Sequence, residues 1–294
     1  MKERKKYEDL LFSDDFMFCK VMTANKELCI GFLERILSKK ILDIVYLNSQ
    51  ENLRPLYDAK TVCLDVYVED SEDKVYNIEM QASHFDNLVL RSRYYQSTID
   101  VNLLERGAGY DKLSKSYIIF VCTQDIFGLG LPIYTFTNRC HEAVGLELDD
   151  RVTKVVANVS GDLNALPEDT AALFRYIRDN VATDDYTGRI DVLIDEAKAH
   201  QKWRTEYMVW EAKIWDERKE AREEGRAEGL AEGLETGRAE GLATGRAEGL
   251  ASGISVGQTQ GIEYSAKRLL ASGMSAEEVA RILELEVEKV RGML

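Results

Sequence analysis

The chain of 294 residues has little of what membrane proteins and disulfide-rich proteins need. No apolar run approaches the roughly 18 to 20 residues that cross a bilayer, so we expect no membrane segment. The N-terminal sequence MKERKKYEDL is charged and has no apolar core of a signal peptide, which predicts a cytoplasmic protein. The five cysteines form no C-x-x-C pair, and an odd number fits a reducing compartment better than a disulfide framework.

Histidine is also scarce, with three residues far apart in the sequence. This spacing gives no local support for a His-based metal site or for a Ser-His-Asp triad. Positive charge is in deficit as well, because the formal net charge is −14. The chain as a whole therefore does not attract polyanionic DNA, and phosphate binding would depend on a local group of cations.

Two segments, 61–69 and 75–83, are rich in β-branched and aromatic residues and alternate in polarity with period two. They flank a polar linker at 70–74, and this pattern predicts a β-hairpin. A loop at 71–73 places Val66 opposite Ile78, and it places residue 65 opposite residue 79. Apolar pairs then fill one face of the hairpin, and polar side chains meet on the other.

The polar face of this hairpin carries Asp65, Glu79 and Gln81. Two carboxylates that close repel unless a cation joins them, and hard divalent ions prefer carboxylate and carbonyl oxygens. The spacing therefore predicts a Mg²⁺ site, and the alternative is a pair of solvated acids on the wet face of the hairpin. The apolar neighbours Ile78 and Met80 favour the site, because solubility does not require polar residues inside an apolar strand.

These residues resemble the PD-(D/E)XK nuclease superfamily, and within it the Rpn family of recombination-promoting nucleases, a transposase-associated branch. The matching motifs are FSDDFMFCKVM at 12–22, LDVYVED and NIEMQ in the two strands, and RSRYYQS at 91–97. The resemblance covers residues 7–145 motif by motif, and residues 146–200 match weakly. It implies an α/β fold with a restriction-endonuclease-like core, in which a mixed sheet is flanked by helices, plus a long C-terminal helical extension.

The resemblance also implies a metal-dependent DNA endonuclease. By position, Asp65 and Glu79 correspond to the metal acids, and the Met80 carbonyl is the third protein ligand. Gln81 stands where the superfamily usually has Lys, so we expect slow turnover, because an amide can orient water but carries no charge. The expected cofactor is Mg²⁺, with Mn²⁺ or Ca²⁺ as alternatives.

A nuclease also needs cations for the DNA backbone, and the candidates are Lys60, Arg91 and Arg93, together with Tyr95. Arg91 and Tyr95 lie four residues apart on a predicted helix and therefore share a face, which either points at the acids or belongs to the core and the solvated rim. Glu34 is either an additional acid over the metal or a solvated residue. Asp14 and Asp15 are candidate N-caps for the first helix.

Periodicity and capping signals predict the element order α-β-β-β-α-β for the core. The predicted elements outside the hairpin are helices at 14–23 and 26–37, a strand at 41–47, a helix at 85–106, a strand at 116–122, further strands within 125–160 and helices within 167–200.

Glycine recurs at every fourth position from Gly225 to Gly261, and a four-residue step advances about 400° around a helix, so the glycines form one stripe. The ten glycines cost a helix about 10 kcal/mol relative to alanine, so a helix here requires close packing. Small residues at this spacing let two backbones approach, which predicts a homo-oligomer through the C-terminal helix. A flexible linker is the alternative.

The organisation predicted from these patterns is a nuclease-like domain at 1–200, a helical extension at 201–261 and a small helical hairpin at 262–294. In the last region Ser275 and Glu278 form a capping box, and the acidic composition disfavours a DNA-reading helix-turn-helix. A coiled-coil-like stripe of Trp203, Tyr207 and Trp210 precedes the glycines and is more typical of structure than of a cofactor site. The alternative function is a non-catalytic, DNA-associated assembly protein with a degenerate nuclease fold.

Overall fold

The elements of the computed structural model, which describes residues 5–53, 62–82 and 87–293, follow the predicted order. In chain order they are α1 (Asp15–Ala24), α2 (Lys26–Leu37), β1 (Ile44–Leu53), β2 (Val62–Asp70), β3 (Val75–Gln81), α3 (Leu88–Leu103), β4 (Ser116–Cys122), β5 (Ile133–Phe136), β6 (Val152–Asn158), α4 (Glu168–Asp179), α5 (Asp185–Ala199), α6 (Gln201–Ala271), α7 (Ala276–Leu283) and α8 (Val287–Arg291).

The six strands form one mixed sheet in the order β1-β2-β3-β4-β6-β5. The β1–β2, β2–β3 and β6–β5 pairs are antiparallel, whereas β3, β4 and β6 run parallel to one another at the centre. Strand β4 is buried along its whole length, as its continuous apolar sequence predicts. The mixed sheet with flanking helices confirms the predicted fold class.

A tight turn fixes the β2–β3 hairpin, and the buried carboxylate of Asp70 organises it. Its Oδ1 accepts hydrogen bonds from the backbone N–H groups of Glu72 and Lys74, both at 2.9 Å, and its Oδ2 accepts one from the Tyr76 hydroxyl at 2.7 Å. Asp73 takes the left-handed conformation, with φ of 57°, which closes the turn. The resulting register pairs Val66 with Ile78, as predicted.

Two cores cover the two faces of the sheet. The larger core packs one face, including Val66, Ile78 and Ile119, against the N-terminal helices and α4 and α5. The smaller core packs the other face, including Phe120 and Val156, against α3. Because side chains alternate along a strand, Asp65, Glu79 and Gln81 share the α3 face of the sheet.

The first ten residues of α6 pack on α1 through aromatic rings. Tyr207 is buried, and its ring centroid lies 5.2 Å from that of Phe16, while Trp210 lies 5.9 Å from Phe16. The Tyr207 hydroxyl also donates to the backbone oxygen of Lys5 at 2.8 Å. The aromatic stripe therefore has the structural role that the sequence predicts, but it packs on the N-terminal core.

Residues 1–211 form one compact unit and residues 212–294 a second. In the second unit α6 continues past the last glycine of the stripe to Ala271, so the predicted boundary at 261/262 falls inside this helix. The predicted capping box is present, because Ser275 and Glu278 bond each other's backbone N–H group. Within the described part of the chain, no helix combines the length and the apolar content needed to cross a membrane.

Candidate active site

The two strand acids are held side by side across the β2–β3 hairpin. Past the Val66–Ile78 pair, the hydrogen bonds run from backbone to carboxylate: Asp65 N donates to Glu79 Oε1 at 3.2 Å, and Met80 N donates to Asp65 Oδ2 at 3.0 Å. Each acid thus accepts an N–H group of the opposite strand. The turn at the other end of the hairpin sets this register and with it the meeting of the two carboxylates.

Burial separates this pair from ordinary surface acids. The Glu79 residue is 2% exposed and Gln81 is 8% exposed, because α3 covers this face of the sheet, and Asp65 is partly buried. The alternative of solvated acids on a wet hairpin face is therefore wrong for Glu79. A buried carboxylate needs a cation or hydrogen-bond donors in place of the lost water.

Burial and mutual repulsion raise the pKa of both acids. For Asp65 the pKa rises from 3.8 to about 7, first because burial disfavours the charged form and then because of the charge of Asp15. The pKa of Glu79 is raised well above its usual value by burial and by Asp65, and Arg91 opposes both shifts. The folded chain therefore keeps two acids in an environment that disfavours their ionisation.

Arg91 of α3 supplies a cation to this site. Its Nη2 lies 3.3 Å from Glu79 Oε2 and 3.0 Å from the Tyr95 hydroxyl, while its Nη1 donates to Gln81 Oε1 at 2.7 Å. Arg91 and Tyr95 face the sheet together, as expected for residues four apart on one helix. One guanidinium group thus joins the acid and the amide of β3 to the helix.

The amide of Gln81 has a defined orientation. Because Arg91 offers only donors, the Gln81 oxygen must face the guanidinium, and Nε2 then donates to the carbonyl of Met80 at 2.9 Å. Gln81 therefore hydrogen-bonds both the Arg91 guanidinium and the Met80 carbonyl, and the sequence analysis predicts this carbonyl to be a metal ligand. A carbonyl oxygen has two lone pairs, so this bond leaves one of them at Met80 available.

Tyr95 and Phe120 form the wall of the site beside Arg91. Their rings stack with centroids 6.2 Å apart, and the guanidinium lies 5.3 Å from the Tyr95 ring and 5.6 Å from the Phe120 ring. Burial, followed by the charge of Glu79, raises the pKa of Tyr95 to about 12. Tyr95 therefore keeps its proton at neutral pH and can only donate or accept as a hydroxyl.

Sequence reasoning missed the roles of three residues at this site: Asp15, Cys19 and Asn77. Asp15 was predicted as an N-cap, but its charge acts on Asp65, and the Cys19 thiol one turn further along α1 donates to the Asp65 backbone oxygen at 3.2 Å. Asn77 lies on the acid face of β3 and donates to Glu79 Oε1 at 3.2 Å. The signal was available for Asn77 alone, because it continues the period-two row of Glu79.

The remaining predicted residues lie elsewhere. Lys60 falls outside the described residues, and Arg93 is exposed on another face of α3, away from the contacts of Arg91. Glu34 accepts from the Ile41 N–H group at 3.0 Å and pairs with Lys40, so it anchors the loop before β1. Asp14 occupies the N-cap position of α1, but its carboxylate bonds Leu11 N at 2.7 Å and not the helix.

The donor atoms of the site fit a hard divalent cation. Asp65, Glu79 and the Met80 carbonyl offer oxygen alone, and Asn77 Oδ1 is buried with no hydrogen-bond partner among the described residues. The described ranges hold no group of three or more His, Cys, Asp or Glu side chains arranged for a metal. A cation here would rest on two acids and a carbonyl, with water or substrate as further ligands.

The strand order, the helices on both faces and the buried acid pair on adjacent strands define a nuclease-like α/β protein. Residues 12–128 match the family model described as PD-(D/E)XK nuclease family transposase. The match confirms the resemblance of this segment to the PD-(D/E)XK nucleases that the sequence motifs indicated. Comparison with curated proteins gave no match, and comparison with solved structures gave none either.

The raised pKa of Asp65 predicts that its charge costs stability. An acid whose folded pKa lies above its unfolded value destabilises the fold as pH rises from about 4 through 7, so Asp65→Asn should stabilise the metal-free protein at pH 8. Asparagine keeps an acceptor for Met80 N–H, and we expect a gain on the order of 1 to 2 kcal/mol.

Urea unfolding in EDTA measures this gain, and it should vanish at pH 4. Asp43→Asn is the matched control, because Asp43 is exposed and its pKa is lowered by its hydrogen bond to Lys26. This control should not gain stability. Loss of stability in Asp65→Asn at pH 8 would contradict the assignment of a costly buried charge.

Proposed function

We propose that the chain is a metal-dependent DNA endonuclease in which Asp65, Glu79 and the Met80 carbonyl hold Mg²⁺. The observation that carries the proposal is the buried pair of acids, whose pKa values are both raised and which face one cation, Arg91. A divalent cation would neutralise the repulsion between the two carboxylates, which burial strengthens. Mn²⁺ and Ca²⁺ share the preference for oxygen ligands and are the alternatives.

The reaction is hydrolysis of a phosphodiester, in which water attacks phosphorus and a sugar oxygen leaves. The cation, when bound, supplies charge neutralisation and makes water more acidic. The acids of β2 and β3 fix its place, and Arg91 adds a donor that can turn from Glu79 to a phosphate oxygen. Tyr95 holds the guanidinium over the sheet, so the donor is positioned before the substrate arrives.

Arg91 also supplies the positive charge that Gln81 lacks, at the position where the superfamily usually has Lys. The amide carries no charge, but Gln81 Oε1 holds the guanidinium at 2.7 Å, so positive charge lies next to the position where the family usually has Lys. One local cation offsets little of the unfavourable net charge of −14. We expect weak and salt-sensitive binding of DNA as a result.

We propose that the enzyme works in the cytoplasm. Cys29, Cys122 and Cys140 are not in disulfide bonds, which supports a reducing compartment. The description of the family as a transposase family supports DNA as the partner and DNA recombination as the setting.

A second candidate function is non-catalytic assembly with a degenerate nuclease fold. The long exposed helix favours it, together with a candidate metal site that has two acids and not three. A wild-type protein that binds divalent metal without cutting DNA would support this second function over the first.

The two functions are separated by nicking of supercoiled plasmid in Mg²⁺ or Mn²⁺. We expect Asp65→Asn and Glu79→Gln each to lower the rate of nicking at least ~100-fold. Each substitution removes a negative charge that holds the cation, and it changes the side-chain volume very little. Asp43→Asn, an exposed acid outside the site, should cut as the wild type does. Unchanged cleavage by either acid variant would refute the metal assignment.

The roles of Arg91 and Gln81 predict a charge-swap result. Arg91→Gln should lower cleavage about 10- to 100-fold, because a positioned donor to the phosphate is lost. Gln81→Lys should at least keep activity when Arg91 is present, and it should restore much of the loss when combined with Arg91→Gln. A double variant no faster than Arg91→Gln alone would show that charge at this position does not assist cleavage.

We further propose that α6 joins two copies of the chain. A methyl group added at any stripe glycine from Gly225 to Gly261 meets no atom within 4 Å in the described chain, so nothing there packs on the stripe. The neighbouring apolar side chains are exposed, including Leu230 at 72% and Leu234 at 75%. A second copy offers the same stripe and a matching pattern of Arg and Glu, which offsets the helical cost of the glycines.

Two sets of substitutions in the full-length protein test this association. Replacement by Leu should raise helicity and abolish association, because bulky side chains block close backbone approach, and replacement by Ala should raise helicity and keep association. Both sets change Gly233, Gly237, Gly241 and Gly245. Analytical ultracentrifugation with circular dichroism distinguishes them, and a wild type that stays monomeric at tens of micromolar would refute the proposal.

A further inference from the structure

A cavity of about 510 Å³ lies between α3 and the sheet, on the same face as the acids. Its walls come from α3, from β4 and β6, and from the segments around β5. The residues that matter for its chemistry are Arg93, Gln96, Phe120, Phe127, Phe136 and Lys154. The volume is within the range of sites that hold small ligands.

The cavity adjoins the candidate active site through Phe120. This residue pairs with Glu79 in the parallel β3–β4 register, so the two side chains are neighbours on one face of the sheet. Phe120 in turn pairs with Val156 of β6, which also lines the cavity. Adjacent strands are about 4.8 Å apart, so the cavity begins within one or two strand spacings of the acid.

Gln96 lines the cavity and has an unused hydrogen-bond acceptor. Its Nε2 donates to Asp100 Oδ1 and to Ser116 Oγ, both at 2.8 Å, and the bond to the carboxylate fixes which end of the amide is nitrogen. Its Oε1 is buried and has no hydrogen-bond partner among the described residues, while the residue is 7% exposed. Buried acceptors are normally satisfied by a protein group, an ordered water or a ligand, so an N–H donor of a ligand would complete this one.

The rest of the lining suits a flat, uncharged ring. The Phe127 and Phe136 centroids are 5.3 Å apart, and Phe136 is 44% exposed. Arg93 and Lys154 contribute positive charge, and Asp100 and Asp150 contribute negative charge. The cavity therefore has no strong net charge. It can recognise a ligand by stacking on an aromatic ring and by accepting a hydrogen bond from one N–H group of the ligand.

We propose that this cavity binds one unpaired nucleobase of the DNA strand whose phosphate lies at Asp65 and Glu79. The inference rests on the proposed function and names its substrate class, which is single-stranded or locally unpaired DNA. The base stacks on Phe127 and Phe136, and its N–H donor reaches Gln96 Oε1. Cytosine, adenine and guanine carry an exocyclic amino group for this bond, whereas thymine offers its ring N–H alone.

The test is binding of labelled 15-nucleotide single strands, measured by fluorescence anisotropy in EDTA at low salt, where no cleavage occurs. The strands are all-cytosine, all-thymine and abasic. The wild type should bind the cytosine strand about tenfold more tightly than the abasic one, the size expected for one stacked base. It should also prefer cytosine to thymine.

Two variants locate this preference in the cavity. Phe136→Ala should remove most of the tenfold preference and leave abasic binding unchanged, and Gln96→Met should remove the preference for cytosine over thymine. Tyr110→Ala is the control, because Tyr110 is an aromatic residue 84% exposed outside the cavity. A misfolded variant would lose abasic binding too, so the difference between strands reports the cavity alone.

The proposal is overturned if the wild type does not bind the strands, if it does not distinguish them, or if Phe136→Ala keeps the full preference. It is also overturned if free deoxycytidine monophosphate binds with the same dependence on Phe136 while the strands do not, since the occupant is then a free nucleotide. Base-dependent binding without plasmid cleavage would refute the nuclease activity alone. Cleavage without base-dependent binding would refute the cavity assignment alone.

Discussion

The register between β2 and β3 is the constraint on which the rest of the site depends. A slip of one residue would carry Asp65 to the opposite face from Glu79 and would expose the apolar row that contains Ile78. The carboxylate of Asp70 prevents it by binding two backbone N–H groups of the turn and the Tyr76 hydroxyl of β3. One buried acid with a structural role thus sets the positions of two others.

Helix α3 determines the solvent exposure of these acids and the charge beside them. It covers the acid face of the sheet, which removes water from Glu79, and it presents Arg91 in return. One cation cannot satisfy two carboxylates, so ionisation of both acids would leave an excess of negative charge that burial makes costly. The side chains that hold Arg91 in place, Gln81 and Tyr95, are neutral and do not reduce that excess.

Much of this arrangement follows from local sequence signals. Alternation and the polar linker predicted the hairpin and its register, and the apolar run predicted β4 at the observed residues 116–122. The burial of Glu79, the influence of Asp15 and the position of Arg93 away from the acids were not predictable in this way. They depend on how α1 and α3 dock on the sheet, and docking is set by packing between segments far apart in sequence. The start of β1 at Ile44, and not at residue 41, reflects the bond that Glu34 makes to Ile41 N.

The acid pair and the cavity differ in how far apart in sequence their residues lie. Asp65 and Glu79 are 14 residues apart and meet in a local hairpin, whereas the cavity joins Leu88 on α3 to Val156 on β6. Loop-closure entropy makes the second kind of contact more costly to form, and edge elements open at lower free energy than central ones. A sub-global opening of β5 and β6 would therefore erase the cavity while the hairpin acids stay together. The cavity and the acid pair can therefore open independently of each other in the fluctuations of the native state.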